Sequence, residues 1–207
     1  MANPWLSMPL SDYEGHMSSP AVQQLDALSD LFAEALALCT PASVAILGIA
    51  GGNGLKRVDP IVVQRVVGVD VNPEYLCAVR QRYAHLPRLE LHCIDLAEQV
   101  LNFQPVQLVH AALVFEHAGT HLALNNAVSL VAPGGALSVV LQLSGETEPN
   151  IGRSGYTLAQ ELGSHFTLVD PAWLTATLQS RGFTPAYHTI RHVPAGKRLW
   201  MTVFTRG

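Results

Sequence analysis

Val44-Ala45-Ile46-Leu47-Gly48-Ile49-Ala50-Gly51-Gly52-Asn53-Gly54 passes from an unbroken apolar run into a glycine-rich turn. A short apolar run that stops at glycines reads as a strand buried on both faces. The turn after it suits a ligand approached by backbone N–H groups, because a Cβ would obstruct the approach or forbid positive φ. Outward from this unit the pattern repeats. Val66 to Val69 forms a second run that stops at Asp70, and Pro73 opens a helix to about Tyr83. Leu89 to Ile94 stops at Asp95, and Val106 to Val109 runs towards Phe115-Glu116-His117. A helix from about Thr120 to Val131 then ends at Ala132-Pro133-Gly134-Gly135, which launches a fifth strand, Ala136 to Leu141. Strands alternating with helices predict a doubly wound, mostly parallel α/β sheet covered on both faces.

The flanks complete the organisation. Leu25, Leu28, Leu31, Phe32, Ala35 and Leu36 recur at helical spacing, which predicts a helix from Pro20 to about Cys39. Residues 144–169 are polar and too long for an ordinary connection, and read as a lid or substrate-side insertion with a helix near Leu158 to Leu162. A helix from Pro171 to about Gln179 follows, then strands near Ala186 to His192 and Leu199 to Thr205, joined at Pro194-Ala195-Gly196-Lys197. The expectation is one domain: an N-terminal lid segment and helix at 1–42, a ligand-binding core at 43–143, the insertion at 144–169, and a helix with a closing hairpin at 170–207.

Composition narrows the function classes. Only 14% of the 207 residues are charged and the net charge is -4, which lacks the basic footprint of a nucleic-acid binder and suits a small or neutral substrate. No apolar run reaches the roughly 18 residues of a membrane span, and no basic start is followed by an apolar stretch, so an unexported protein without a membrane segment is expected. Cys39, Cys77 and Cys93 are odd in number and lie in or beside apolar segments, which predicts buried free thiols in a reducing, cytoplasmic setting. The histidines His85, His92, His165, His188 and His192 lack metal-ligand spacing, so no metal is expected.

Asp70 lies where a dinucleotide fold would place the acid for a ribose hydroxyl. The pattern G-x-G-x-x-G, however, lays poorly on Gly48 to Asn53, where Ala50 and Asn53 take glycine positions. The chain instead resembles the class I S-adenosylmethionine-dependent methyltransferases from about Val44 onward. Gly48 to Gly54 is similar to that family's acid-x-Gly-x-Gly-x-Gly turn, with Gly48 in place of the acid and Ala50 in place of the first glycine. Gly68-Val69-Asp70-Val71-Asn72-Pro73 looks like its ribose motif, Cys93-Ile94-Asp95-Leu96 like its adenine motif, and Pro133-Gly134-Gly135 like its turn before strand five. Asp12-Tyr13-Glu14-Gly15-His16-Met17 together with Ala50 to Gly54 is similar to a bacterial subgroup of the family.

The resemblance implies a Rossmann-like methyltransferase fold of seven strands with a terminal antiparallel pair, and S-adenosylmethionine as cofactor. It assigns Gly48, Ala50, Gly51, Gly52 and Gly54 to the methionine end, Asp70 with Val71 to the ribose, Asp95 with Leu96 to the adenine, and Leu113 to the wall after strand four. Ligands in doubly wound sheets collect at the carboxyl ends of strands, which places Glu116 and His117 beside the transferred methyl as catalytic candidates. His117 suits a general base and equally a hydrogen-bonding role in its loop. Tyr13 and His16 are read as lid residues or as ordinary packing, and Asp70 and Asp95 would also serve as helix N-caps. Arg153 and Arg191 are candidates to meet an acidic substrate, or ordinary surface residues. Methyl transfer to a small molecule is the expected function, with a protein acceptor, a binding protein without turnover and a nicotinamide-dependent oxidoreductase as alternatives.

Overall fold

The computed structural model describes residues 3–86, 88–143, 166–194 and 196–207. Seven strands form one sheet: β1 (Ser43–Leu47), β2 (Arg65–Asp70), β3 (Leu89–Cys93), β4 (Val106–Ala112), β5 (Val131–Leu143), β6 (Phe183–His192) and β7 (Arg198–Arg206). Their order is β3-β2-β1-β4-β5-β7-β6, with β7 antiparallel to both neighbours and the other pairings parallel. The terminal pair is therefore more than an appended hairpin, because β7 is inserted between β5 and β6.

Among the described residues six α-helices flank the sheet: α1 (Leu10–Ser18), α2 (Gln24–Cys39), α3 (Pro73–Arg82), α4 (Phe115–Ala118), α5 (His121–Leu130) and α6 (Pro171–Gln179). Successive strand residues point to opposite faces. Val44 and Ile46 accordingly pack with Leu28, Leu31 and Phe32 of α2 and Val79 of α3. Ala45 and Leu47 pack on the other side with Leu124 and Ala127 of α5 and Leu174 of α6. Both faces are apolar and covered, which is why the central strands show no polar alternation. One buried polar pair interrupts the core, His110 Nδ1 and Ser138 Oγ at 3.1 Å, and burial pushes the His110 imidazole down to about 4 so that it stays neutral.

Several local expectations are corrected. The helix assigned from Pro20 begins at Gln24, because Gln23 takes a left-handed φ of 46° and Val22 and Gln23 close a turn on Ser19 O. The helices α1 and α4 were not foreseen, both being short and weakly periodic. The edge strand β6 begins at Phe183, and β4 extends to Ala112. Cys77 and Cys93 are exposed and Cys39 is half-buried, all three as free thiols, since a segment that looks apolar in sequence still presents an outer face. The helix expected at Leu158 to Leu162, Arg153 and most of the insertion lie outside the described residues. No helix among the described residues is long and apolar enough to cross a membrane.

Candidate functional site

The crossovers from β1 lead to β2 on one side, while β4 starts the opposite half of the sheet, so β1 and β4 flank the point where strand order reverses. A crevice at such a point is the ligand site expected of an open α/β sheet. Here the carboxyl ends of β1, β2, β4 and β5 open into a cavity of about 390 Å³, within the range of small-molecule pockets.

The turn after β1 supplies Gly48 and Ala50 to the cavity wall. Gly48 N and Ile49 N donate to Val69 O at 2.9 and 3.0 Å, which ties the turn to β2. Ala50 has φ 46° and Leu113, at the end of β4, φ 56°. Both line the cavity, and left-handed non-glycine residues concentrate at functional sites. Gly51, Gly52 and Gly54 are absent from the cavity wall and do a different job. A Cβ at Gly52 would lie 2.6 Å from the Tyr83 ring, one at Gly54 2.8 Å from Phe32, and one at Gly51 2.2 Å from the Glu14 carboxylate. These glycines let the turn press against α1, α2 and α3.

Asp70 is buried in the wall with Val71 beside it. Its Oδ2 accepts from Ala50 N at 2.8 Å and its Oδ1 from Asn72 N at 3.0 Å, so the acid at the end of β2 fixes the turn after β1. Burial pushes its carboxyl up, against the pull of the N–H groups of Asn72, Ala50 and Val71. A carboxylate has about four acceptor sites, so capacity remains for a ligand hydroxyl after those bonds. Asn72, not Asp70, caps α3, accepting from Glu74 N at 2.9 Å. Asp95 also lines the cavity, flanked by Ile94 and Leu96. Its Oδ1 accepts from Ala97 N at 2.9 Å and its Oδ2 from Asn3 Nδ2 at 2.8 Å.

That last bond belongs to an N-terminal cover. Asn72 Nδ2 donates to Trp5 O and Tyr75 Oη to Met8 O, each at 2.9 Å, and Glu14 pairs with Arg82, which also donates to Gly51 O. So anchored, α1 turns Tyr13, His16 and Met17 into the cavity, residues spaced to share one helix face. Burial, and then the Asp70 charge, push the Tyr13 phenol up, so it stays neutral at physiological pH.

His117, on α4, lines the cavity between Trp5 and Phe166, whose ring centroids lie 4.8 and 5.0 Å away in edge-on contact. Glu116 does not join it. Its side chain turns inward, where Oε1 accepts from Gln142 N at 2.8 Å, and its backbone O accepts from Thr167 N at 2.8 Å. Adjacent residues on a helix face different directions, so Glu116 braces β5 and residue 167 while His117 faces the cavity. Among the lining residues that sequence reasoning did not assign are Gln24, Gln142 and Lys197. Only Lys197 carried a signal, lying in the loop of the final hairpin. Arg191 pairs with Glu34 and is not part of the cavity wall. Among the described residues no cluster of metal-ligating side chains occurs.

Burial pushes the Glu116 carboxyl up to about 7 from an ordinary 4.5, outweighing the N–H bond from Gln142. The folded protein then holds a proton that the unfolded chain releases, so stability falls as pH rises from about 4.5 to 7. Glu116→Gln stays neutral and keeps an oxygen for Gln142 N. Its thermal unfolding is expected to lack that part of the fall, and to exceed wild type in midpoint at pH 8. Melts at pH 5 and 8 check this, and identical pH slopes in both proteins would refute it.

Strand order, an acid at the end of β2 and a cofactor-sized crevice define a Rossmann-like fold of the methyltransferase type. Residues 45–139 match the family model described as a methyltransferase domain. The chain thus carries a methyltransferase-family domain over these residues, which run from β1 into β5. No curated protein matches it significantly in sequence. Among solved structures it is similar to the N-methyltransferase NodS from Bradyrhizobium japonicum WM9 in complex with S-adenosyl-L-homocysteine, at 15% identity and TM-score 0.69 over 99% of each chain. It is similar also to magnesium protoporphyrin IX methyltransferase (ChlM) from Synechocystis PCC 6803 with bound SAH, at 14% identity and TM-score 0.71 over 98% of this chain and 96% of that one. The [4+2]-cyclase SpnF shares the fold at 15% identity and TM-score 0.65, over 89% of this chain and 81% of that one.

Proposed function

We propose that the chain transfers a methyl group from S-adenosylmethionine to a small-molecule acceptor, acting in the cytoplasm as one domain with the boundaries given above. The observation that carries this reading is Asp70, a buried carboxylate in the cavity wall that holds the turn after β1 through Ala50 N. The donor set fits the cofactor: Asp70 with Val71 for the ribose hydroxyls, Asp95 with Ile94 and Leu96 for the adenine, and Gly48 and Ala50 beside the methionine end. Asp95 already accepts from the NH2 group of Asn3, the donor type of an adenine amino group. Gly51, Gly52 and Gly54 support this site from behind.

Bound S-adenosylmethionine supplies an electrophilic methyl on a sulfonium. Transfer forms a nucleophile–carbon bond as the sulfur–carbon bond breaks, and the electron pair goes to sulfur. The protein's share is alignment and exclusion of water. Leu113 and Val114 wall the middle of the cavity, and Trp5, Tyr13 and Phe166 close it over. His117 takes the acceptor's proton where the nucleophile carries one, its ring fixed between Trp5 and Phe166.

Calorimetric titration is expected to show saturable binding of S-adenosylhomocysteine and none of NADH; the reverse result would replace this reading with an oxidoreductase. Because the same fold serves a cyclase, turnover needs its own test. Labelled S-adenosylmethionine incubated with the protein and metabolite extracts is expected to label a small product, and binding with no transfer to any extract would leave a binding protein.

A further inference from the structure

Asn3 reaches across the chain to an acid of the cavity wall. Its Nδ2 donates to Asp95 Oδ2 at 2.8 Å, while its Oδ1 accepts from Trp5 N at 3.1 Å and caps the one-turn helix Pro4–Leu6. Both ends of the amide are thus used, and Asn3, Pro4, Ile94, Asp95 and Leu96 line the same cavity. Asp95 Oδ1 is engaged by Ala97 N of its own turn, so Oδ2 is the oxygen left for a donor from outside. The amide that takes it offers a planar, neutral NH2 group, the same kind of donor as the amino group of adenine. The anchors of the N-terminal cover lie further along the chain. Asn72 Nδ2 donates to Trp5 O, Tyr75 Oη to Met8 O, and Arg82 pairs with Glu14. Asn3 stands outside that anchored stretch, so it can leave Asp95 while the cover from Trp5 onward stays in place.

Resting on the methyltransferase reading above, we propose that Asn3 is an internal competitor of the cofactor, holding on Asp95 the place of the adenine amino group and giving it up when the cofactor binds. An unpaired acceptor in a part-buried wall is costly, and the Asn3 bond removes that cost from the empty site. Binding then exchanges one N–H···O bond for another, so the amino group adds less affinity than a wholly new bond would. The consequence falls on release. S-adenosylhomocysteine keeps the adenosine of S-adenosylmethionine, so contacts to that part hold product as firmly as substrate. A side chain that returns to Asp95 weakens the hold on both and frees the site for the next turnover.

Calorimetric titration of the full chain tests this with two ligands, S-adenosylhomocysteine and its deamino analogue, in which purine replaces adenine. Asn3→Ala removes the competing donor. Asn3→Asp removes it at nearly constant shape and keeps an oxygen for Trp5 N. Both variants are expected to bind S-adenosylhomocysteine at least about threefold tighter than wild type does, and the deamino analogue within about twofold of wild type. Unchanged or weaker binding of S-adenosylhomocysteine in Asn3→Asp overturns the proposal, because the amide would then brace Asp95 and not compete for it. Equal gains for the two ligands also overturn it, since Asn3 would then obstruct the ring by bulk alone. If the wild-type protein itself fails to bind S-adenosylhomocysteine, the methyltransferase reading falls instead.

Discussion

The Asp70→Ala variant is expected to bind S-adenosylhomocysteine at least about 100-fold more weakly than wild type, a loss of about 2.7 kcal/mol. Two effects combine. A hydrogen bond from a ligand hydroxyl to a charged acceptor contributes roughly 1.5–3 kcal/mol. The same carboxylate also receives Ala50 N and Asn72 N, so its removal frees the turn after β1 and the first residue before α3 at once. Asp70→Asn separates these contributions from bulk. It keeps the shape, yet its NH2 end must face an N–H donor, so most of the affinity is lost while the fold persists. Calorimetry on both variants, with circular dichroism as the check on folding, measures this. Affinity within threefold of wild type in Asp70→Ala would take the residue out of the cofactor site.

The second large effect is on stability. Gly52→Val is expected to lower unfolding free energy by about 3 kcal/mol or more, from a left-handed backbone cost of roughly 1–2 kcal/mol and overpacking of roughly 1–3 kcal/mol. Gly52 has φ +84°, and a Cβ there would meet Tyr83 at 2.6 Å. For a chain of this size each kcal/mol moves Tm by about 2–4 °C, so the midpoint falls by roughly 6–12 °C. A drop under about 2 °C would mean that Tyr83 yields and that the turn is looser than its packing implies. The position lies outside the cavity wall, so any folded fraction keeps its ligand site.

Much of the fold was legible because its signals are local. Val44 to Leu47, Val66 to Val69 and Ala136 to Leu141 are apolar on both faces, which happens where helices cover both sides of a sheet. The helix expected from Pro171 to about Gln179 is α6, whose start Asp170 caps by accepting from Ala172 N at 3.0 Å. Asp70 and Asp95, which the sequence motifs single out, both line the cavity, because each motif ties its acid to the end of a strand. Other positions are ones where ligand contact and packing look alike in sequence. Gly51, Gly52 and Gly54 are glycines because side chains crowd them, and the sequence pattern is the same as for glycines that admit a ligand. Glu116 and His117 were indistinguishable by position on the strand end, and only the helical turn of α4 sends one to the cavity and the other to β5. Gln24, Gln142 and Lys197 come from three distant parts of the chain, and no spacing announces a wall that tertiary packing assembles.

The insertion of β7 between β5 and β6 also bears on how the protein reaches this state. Until β7 is in place, β5 offers the edge of a nearly all-buried strand, with Leu137, Val139 and Leu141 lying in the core. Such an open apolar edge templates pairing with other chains. Every other strand of the sheet precedes β7 in sequence, so the sheet stays unfinished until β7 is made, and the strand that closes it follows directly on Lys197 of the cavity wall. Completion of the cavity wall at Lys197 and protection from aggregation are therefore one event in folding.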